Sequence, residues 1–150
     1  MNLEQITKQN IYKVIKLSLS EQQQKFVSTN AFSMAESAVN PDYQPRAAVM
    51  EGEVVGFAMY TEWVNAVWMK EQKPSEYYIP RVMIDKSYQG KGYGRSLMEL
   101  LLDEIKEKNP RAIHIVYCAK NTAAKNLYDS LGFVEYGKDD CGDILAKIQL

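Results

Sequence analysis

Three glycines, Gly90, Gly92 and Gly94, stand between a strand-like run and a long amphipathic helix pattern, and nothing else in the chain restricts its fold as tightly. Upstream, Tyr78-Ile79-Pro80-Arg81-Val82-Met83-Ile84-Asp85 has strand character except at Pro80, which has no N–H for a ladder bond and so marks an edge or a bulge. Downstream, Leu97, Leu100, Leu101 and Ile105 recur at helical spacing between Gly92 and Lys108, and Asn109-Pro110 ends the helix. Strand, glycine turn and helix together suit an anion. Glycines let the backbone come close, and the first amides of a helix lack intrahelical acceptors and sit at the positive end of its dipole. Lys91 and Arg95 add charge on the same turn, and Lys120 and Lys125 would add more if the next strand and helix lie alongside. The segment Gln89-Gly90-Lys91-Gly92-Tyr93-Gly94-Arg95 therefore predicts a diphosphate-bearing cofactor. The plainer alternative is a tight strand-to-helix turn without a ligand.

Two nucleotide motifs do not fit. A Walker loop needs Ser or Thr after Gly-Lys, whereas Lys91 precedes Gly92; a Rossmann turn has the spacing GxGxxG and sits early in its domain. At 150 residues the chain is long enough for one packed core and short for two, so residues 1–150 are expected to form a single domain. A net charge of −1 gives no global basic field, which argues against nucleic acid as a partner. No apolar stretch approaches membrane-spanning length and the first residues do not read as a signal peptide, so the expectation is a soluble, cytoplasmic protein without a membrane partner. Cys118 and Cys141 are far apart, with no CxxC and no nearby histidine, and suggest neither a disulfide nor a metal site. His114, the one histidine, alternates with Ile113 and Ile115 on a strand and reads as packed or hydrogen-bonded.

The remaining pattern is a strand over Asn2 to Thr7, a helix after Asn10, and a second helix from Ser20 to Val39 with a break near Asn30. A hairpin follows, Ala47 to Met50 and Val54 to Tyr60 about Glu51-Gly52-Glu53. After the long helix come a strand from Ala112 to Cys118, a helix from Asn121 to Leu131, and strands from Gly132 to Tyr136 and from Asp143 to Leu150.

At this point the chain resembles the GNAT superfamily of N-acetyltransferases. Gln89, Gly92 and Gly94 meet that family's (Gln/Arg)-x-x-Gly-x-(Gly/Ala) signature. Asn121-Thr122-Ala123-Ala124-Lys125-Asn126-Leu127-Tyr128-Asp129-Ser130-Leu131-Gly132-Phe133 looks like its Asn-x-x-Ala-x-x-x-Tyr-x-x-x-Gly-Phe segment. The order of elements agrees over essentially the whole chain. More narrowly, Ser20 to Val27, Asn30, Ala35-Glu36 and Tyr88 to Gly94 are similar to bacterial spermine/spermidine, or diamine, acetyltransferases.

The resemblance implies an α/β (α+β) GNAT acyl-CoA N-acyltransferase fold, with a mixed, mostly antiparallel sheet of about seven strands flanked by about four helices. It implies acetyl-CoA as co-substrate, held by Gln89, Gly90, Lys91, Gly92, Tyr93, Gly94 and Arg95 with Asn121 and Lys125. It also implies a bulge on the strand Tyr77 to Asp85, which parts it from the strand Ile113 to Cys118. Backbone groups of Val82, Met83 and Ile84 would then pair with the pantetheine arm and polarise the acetyl carbonyl. Tyr128 falls where its hydroxyl could protonate the departing thiolate, the alternative being a buried core tyrosine.

An alkylamine is protonated near neutral pH and must lose a proton before it attacks. Some relatives carry a glutamate for this on the central strand, but Pro80 stands at the matching position, so the role does not transfer. Glu76, just upstream, is the substitute, and a water chain is the other option. No residue is placed as an obligatory covalent nucleophile, so direct transfer in a ternary complex is expected. From Tyr60 to Tyr78, the residues Glu62, Trp63, Trp68, Glu71, Glu76 and Tyr77 mix carboxylates with aromatic rings, which suits a polyamine cation, and Glu36 and Asp42 are further candidates. An aminoglycoside-like amine, a protein N-terminus, or a non-catalytic acyl-CoA-binding module stay open as alternatives. Homodimers are frequent among such enzymes, and nothing in the sequence shows an interface.

Overall fold

The computed structural model describes residues 1–65 and 70–150. Seven strands, β1 (Asn2–Gln5), β2 (Gln44–Met50), β3 (Glu53–Glu62), β4 (Glu76–Ile84), β5 (Ala112–Tyr117), β6 (Val134–Lys138) and β7 (Ile144–Gln149), form one sheet in the order β1-β2-β3-β4-β5-β7-β6. All neighbours run antiparallel except β4 and β5. That parallel pair is joined by the long helix, because parallel strands need a crossover.

The helices are α1 (Ile11–Lys16), α2 (Glu21–Gln24), α3 (Asn30–Val39), α4 (Tyr93–Lys106) and α5 (Thr122–Ser130), giving three layers. On one face Leu97, Met98, Leu101 and Ile105 of α4 pack with Tyr128 of α5 against Val55, Ala58, Ile79, Ile113 and Ile115. On the other face Val14 of α1 and Met34 of α3 cover Ala47, Val49, Phe57, Met59 and Met83. The strand residues alternate between the two cores, as a pleated sheet requires. Among the described residues no helix is long and apolar enough to cross a membrane.

The expected second helix is two. Thr29 caps α3, its hydroxyl accepting from the Phe32 amide at 3.2 Å, and Asn30 is buried with its amide donating to the Val14 carbonyl at 2.9 Å. A cap of this kind starts a helix afresh, which explains the break. Asn10 makes no side-chain cap bond. Its amide instead closes the turn after β1, accepting from the Thr7 amide at 2.8 Å and donating to the Gln5 carbonyl at 2.9 Å. The hairpin between β2 and β3 turns on Glu51 (φ 52°) and Gly52 (φ 81°), the two positive φ values of a type I′ turn.

Candidate active site

Pro80 divides β4. Before it, Glu76, Tyr77, Tyr78 and Ile79 pair in parallel with Ala112, Ile113, His114 and Ile115, and the pairing stops there. Beyond it, β4 stays on β3 through Val82, Met83 and Ile84, with a register shift against Met59 and Thr61 that absorbs an extra residue at Ile79-Pro80. Proline supplies no ladder donor, so a bulge is the conformation the sheet accepts there. Arg81 reinforces it, donating to the Pro80 carbonyl at 2.9 Å and to the Ser33 hydroxyl at 3.1 Å. In an antiparallel pair alternate residues turn their N–H and C=O groups away from the partner, so part of the Val82–Ile84 backbone is presented to the opening beside β5.

That opening is a cleft of about 600 Å³. Val82, Met83, Ile84, Gln89, Gly90, Gly92, Tyr93, Gly94, Asn121 and Tyr128 line it, so most of the site residues expected from the sequence are brought together. Gly90 (φ 76°) and Gly92 (φ 80°) take left-handed conformations, and no atom lies within 4 Å of where a Cβ would stand on either. The first bond of α4 runs from the Ser96 amide to the Gly92 carbonyl at 3.2 Å, which leaves the Tyr93, Gly94 and Arg95 amides without intrahelical acceptors. Unobstructed donors at a helix N-terminus fit a pyrophosphate. Asn121 caps α5, its side chain accepting from the Ala124 amide at 3.2 Å.

Tyr128 is buried between Tyr117 and Phe133, at ring separations of 5.3 and 5.8 Å. Burial, then the neighbouring Tyr117, push its phenol well above the ordinary range, so it stays a neutral proton donor. Its hydroxyl has no hydrogen-bond partner among the described residues, and no fully buried side-chain polar atom there lacks one. The hydroxyl is therefore accessible from the cleft that Tyr128 lines.

Other expected residues lie elsewhere. Lys91 and Arg95 are exposed, Lys91 over the Tyr88 ring and Arg95 bound to Ser130 and Glu99. Lys125 is held by Glu135 and Asp129. Glu76 is not among the residues lining the cleft; its carboxylate meets the Nε2 of fully buried His114 at 2.5 Å, and the other ring nitrogen meets the Tyr136 hydroxyl at 2.9 Å. Burial lowers the His114 pKa against the pull of Glu76, so the ring is neutral, giving its proton to Glu76 and accepting from Tyr136. The expected acid-and-aromatic wall is likewise occupied with structure. Glu62 accepts from the Ser75 amide, Trp63 is buried and donates to the Glu71 carbonyl, and Tyr77 packs on Tyr60. Trp68 lies outside the described residues.

The acids that do line the cleft are Asp139 and Asp143, in the turn between β6 and β7, which sequence reasoning did not single out. Asp139 holds that turn, accepting from the Cys141 and Asp143 amides at 2.9 Å each. The Asp143 carboxylate has no partner among the described residues, and burial together with the charge of Asp139 raises its pKa. The spacing Asp-Asp-Cys-Gly-Asp reads as an ordinary polar turn, and only the fold carries it to the cleft.

Residues 10–133 match the acetyltransferase (GNAT) family. The chain belongs to that family. GNAT enzymes use acetyl-CoA as acetyl donor. The chain is 27% identical over 141 residues to the "Probable spermine N(1)-acetyltransferase" of Bacillus subtilis subsp. natto (strain BEST195), covering 93% of this chain and 91% of that one. It is 26% identical, with the same coverage, to the "Spermine/spermidine N(1)-acetyltransferase" of Bacillus subtilis (strain 168). Among solved structures, aminoglycoside acetyltransferase AAC(6')-Ib in complex with coenzyme A superposes with a TM-score of 0.83 at 17% identity, over 99% of this chain and 94% of that one. The GNAT fold, α+β with its seven-stranded, mostly antiparallel sheet, is thus as expected, although five helices flank it rather than four.

Proposed function

We propose that this acetyltransferase moves the acetyl group of acetyl-CoA to a primary amine of a small polyamine such as spermidine or spermine, by direct attack in a ternary complex. The observation that carries the reading is the unpartnered Asp143 carboxylate, seated with Asp139 on the same cleft as Tyr128 and the glycine turn. Two like charges close together in a partly dry cleft favour a cationic guest. Similarity to the two Bacillus proteins over most of the chain supports the same acceptor class.

In this scheme the substrate ammonium is drawn to Asp139 and Asp143, and Asp143, its pKa raised by burial and by the charge of Asp139, takes the proton that frees the nitrogen lone pair. Amide groups of Val82–Ile84 facing the gap polarise the thioester carbonyl. The nitrogen adds to that carbonyl, the C–S bond breaks, and the phenol of Tyr128 protonates the departing sulfur. The second proton lost from nitrogen restores the phenol. Gln89, Gly90, Lys91, Gly92, Tyr93, Gly94 and Arg95, with Asn121 and Lys125, hold the donor; Lys91, Arg95 and Lys125 act from the rim, Arg95 and Lys125 by exchanging their present side-chain partners for phosphate.

The test is to incubate the protein with acetyl-CoA and, separately, spermidine, spermine, putrescine, kanamycin and an N-terminal peptide, following CoA release and product mass. Acetylated spermidine or spermine, with turnover lowered about 10²- to 10⁴-fold in Tyr128→Phe, is the expected result. Turnover of kanamycin or the peptide alone would replace the acceptor class. Binding of acetyl-CoA without transfer to any amine would replace catalysis with a binding role.

A further inference from the structure

The cleft has a wall that belongs to neither the sheet nor α4. Leu19, Gln23, Phe26, Val27 and Ser28, from the segment that contains α2, line it on that side. This segment is fastened at its two ends. At the start, the Ser18 amide donates to Asp85 Oδ2 at 2.7 Å and the Lys86 amide donates to the Ser18 carbonyl at 2.8 Å. At the finish, Asn30 is anchored on the Val14 carbonyl at 2.9 Å.

Between these anchors one set of hydrogen bonds among the described residues ties the segment to the rest of the molecule. Gln23 Nε2 donates to Gln89 Oε1, and Gln89 Nε2 donates back to Gln23 Oε1, each at 3.0 Å. Gln89 Nε2 also donates to the Ile84 carbonyl at 2.9 Å. That third bond fixes which end of the Gln89 amide carries the hydrogens, and the pairing then fixes the Gln23 amide. Gln89 is the first residue of the glycine turn, so the clasp joins the turn, the end of β4 and the α2 wall at a single pair of side chains.

We propose that Gln23 is a positioning residue that couples occupation of the glycine turn to closure of the 19–28 wall over the acceptor part of the cleft. This rests on the proposed function, in which the turn holds acetyl-CoA and the amine occupies the same cleft that residues 19–28 line. A ligand that immobilises residues 89–95 immobilises the Gln89 side chain, and through it Gln23 and the wall. The order in which the substrates bind follows: a firm acceptor surface exists once the donor is seated. Two neutral hydrogen bonds between a partly buried Gln23 and an exposed Gln89, each at the low end of the usual range, set the size of the coupling at about tenfold.

Hydrogen–deuterium exchange on the full chain, with coenzyme A as the probe, measures it. In the wild type, coenzyme A should slow exchange across residues 19–28 by about tenfold, and in Gln23→Ala this slowing should fall below twofold while coenzyme A still binds. Gln23→Glu, which accepts from Gln89 Nε2 but sets an oxygen against Gln89 Oε1, should lie between the two and guards against misfolding of the alanine variant. With a turned-over amine, Gln23→Ala should raise the acceptor KM about tenfold and change kcat less than twofold, a split that general destabilisation would not give. Equal slowing in wild type and Gln23→Ala, or no slowing in the wild type with coenzyme A bound, overturns the proposal. The exchange arm needs no amine, so a protein that acetylates none of those tested yet shows Gln23-dependent protection would lose the acceptor reading and keep the clasp.

Discussion

Replacing Gly56 by alanine should strain the wall of the cleft from behind. Gly56 lies in β3 between Ala48 of β2 and Ile84 of β4, and its φ is not left-handed, so its backbone accepts a side chain. The space does not. A Cβ there would stand 2.7 Å from Ile84 Cδ1 and 2.7 Å from the Met83 carbonyl oxygen, with Ala48 Cβ at 3.5 Å. Ile84 Cδ1 can turn aside, but the carbonyl moves only if β4 moves. Overpacking a core costs about 1–3 kcal/mol, and a backbone contact belongs in the upper half of that range. At about 2–4 °C per kcal/mol for a domain of this size, the melting temperature should fall by roughly 5–10 °C. Because the displaced carbonyl sits on the Val82–Ile84 stretch, the acetyl-CoA KM should rise as well. Thermal unfolding followed by circular dichroism reads the first effect and initial-rate kinetics the second. Gly94→Ala is the control, since its Cβ would meet Leu127 Cδ2 at 3.7 Å and Ile84 Cγ1 at 3.9 Å, ordinary contacts within a helix. A Gly56→Ala melt within about 2 °C of the wild type would refute the packing argument, as would an equal fall in Gly94→Ala.

Asp143→Asn should raise the acceptor KM about tenfold, the worth of one charge-assisted contact. It should also remove the acidic limb of kcat/KM, which in the wild type lies above the ordinary carboxylate range because the Asp143 pKa is raised; an unchanged limb would assign the proton to another group. His114 is held below its unfolded pKa by burial, so its contribution to stability is complete above about pH 6.5 and is lost as pH falls through the lower folded value. The melting temperature should therefore drop between pH 7.5 and 5 in the wild type and much less in His114→Gln, and parallel slopes would count against that assignment. For Asp85, burial opposes the charge but the Ser18 and Ser87 amides outweigh it and hold the pKa down. Its stabilisation should be present above about pH 4 and lost as pH falls through the folded value, with Asp85→Asn costing about 1–3 kcal/mol at pH 7 by urea titration.

The glycine turn and the bulge beside it were legible in the sequence because their requirements are local. Left-handed turn positions call for glycine, a helix start leaves free amides, and a strand proline forces a bulge; Gly90, Gly92 and Pro80 state each of these within a few neighbours. The acids of the cleft were not legible, because they reach it only through tertiary packing. Asp139 and Asp143 sit in a turn that any solvated hairpin might share in composition, and they arrive at the cleft because β7 is inserted between β5 and β6. The described carboxylates and rings between Tyr60 and Tyr78, Glu62, Trp63, Glu76 and Tyr77 among them, are dense in sequence but are turned to other partners. Charge composition says how many acids a segment has and nothing about which of them is already bonded. The break expected near Asn30 falls at Thr29, whose side chain accepts from the Phe32 amide and so starts α3 afresh.

Glu76 illustrates how the two halves of β4 depend on each other. A strand that must leave its neighbour at Pro80 needs to be held firmly before it, or the parting would spread down the sheet. The parallel pairs Glu76↔Ala112 to Ile79↔Ile115 provide the ladder, and the chain Glu76–His114–Tyr136, buried at its histidine and open to solvent at its tyrosine, ties β4, β5 and β6 together across it. Trp63 closes the cluster, its ring 4.3 Å from His114 and 6.1 Å from Tyr78. A buried imidazole bonded at both ring nitrogens is costly to strip of its partners and specific in geometry, which an apolar residue of equal area would not be. The carboxylate first considered as a base thus belongs to the anchorage that lets the cleft open at one place and no further. In the proposed scheme the proton goes instead to Asp143, an acid with no such bond to give up.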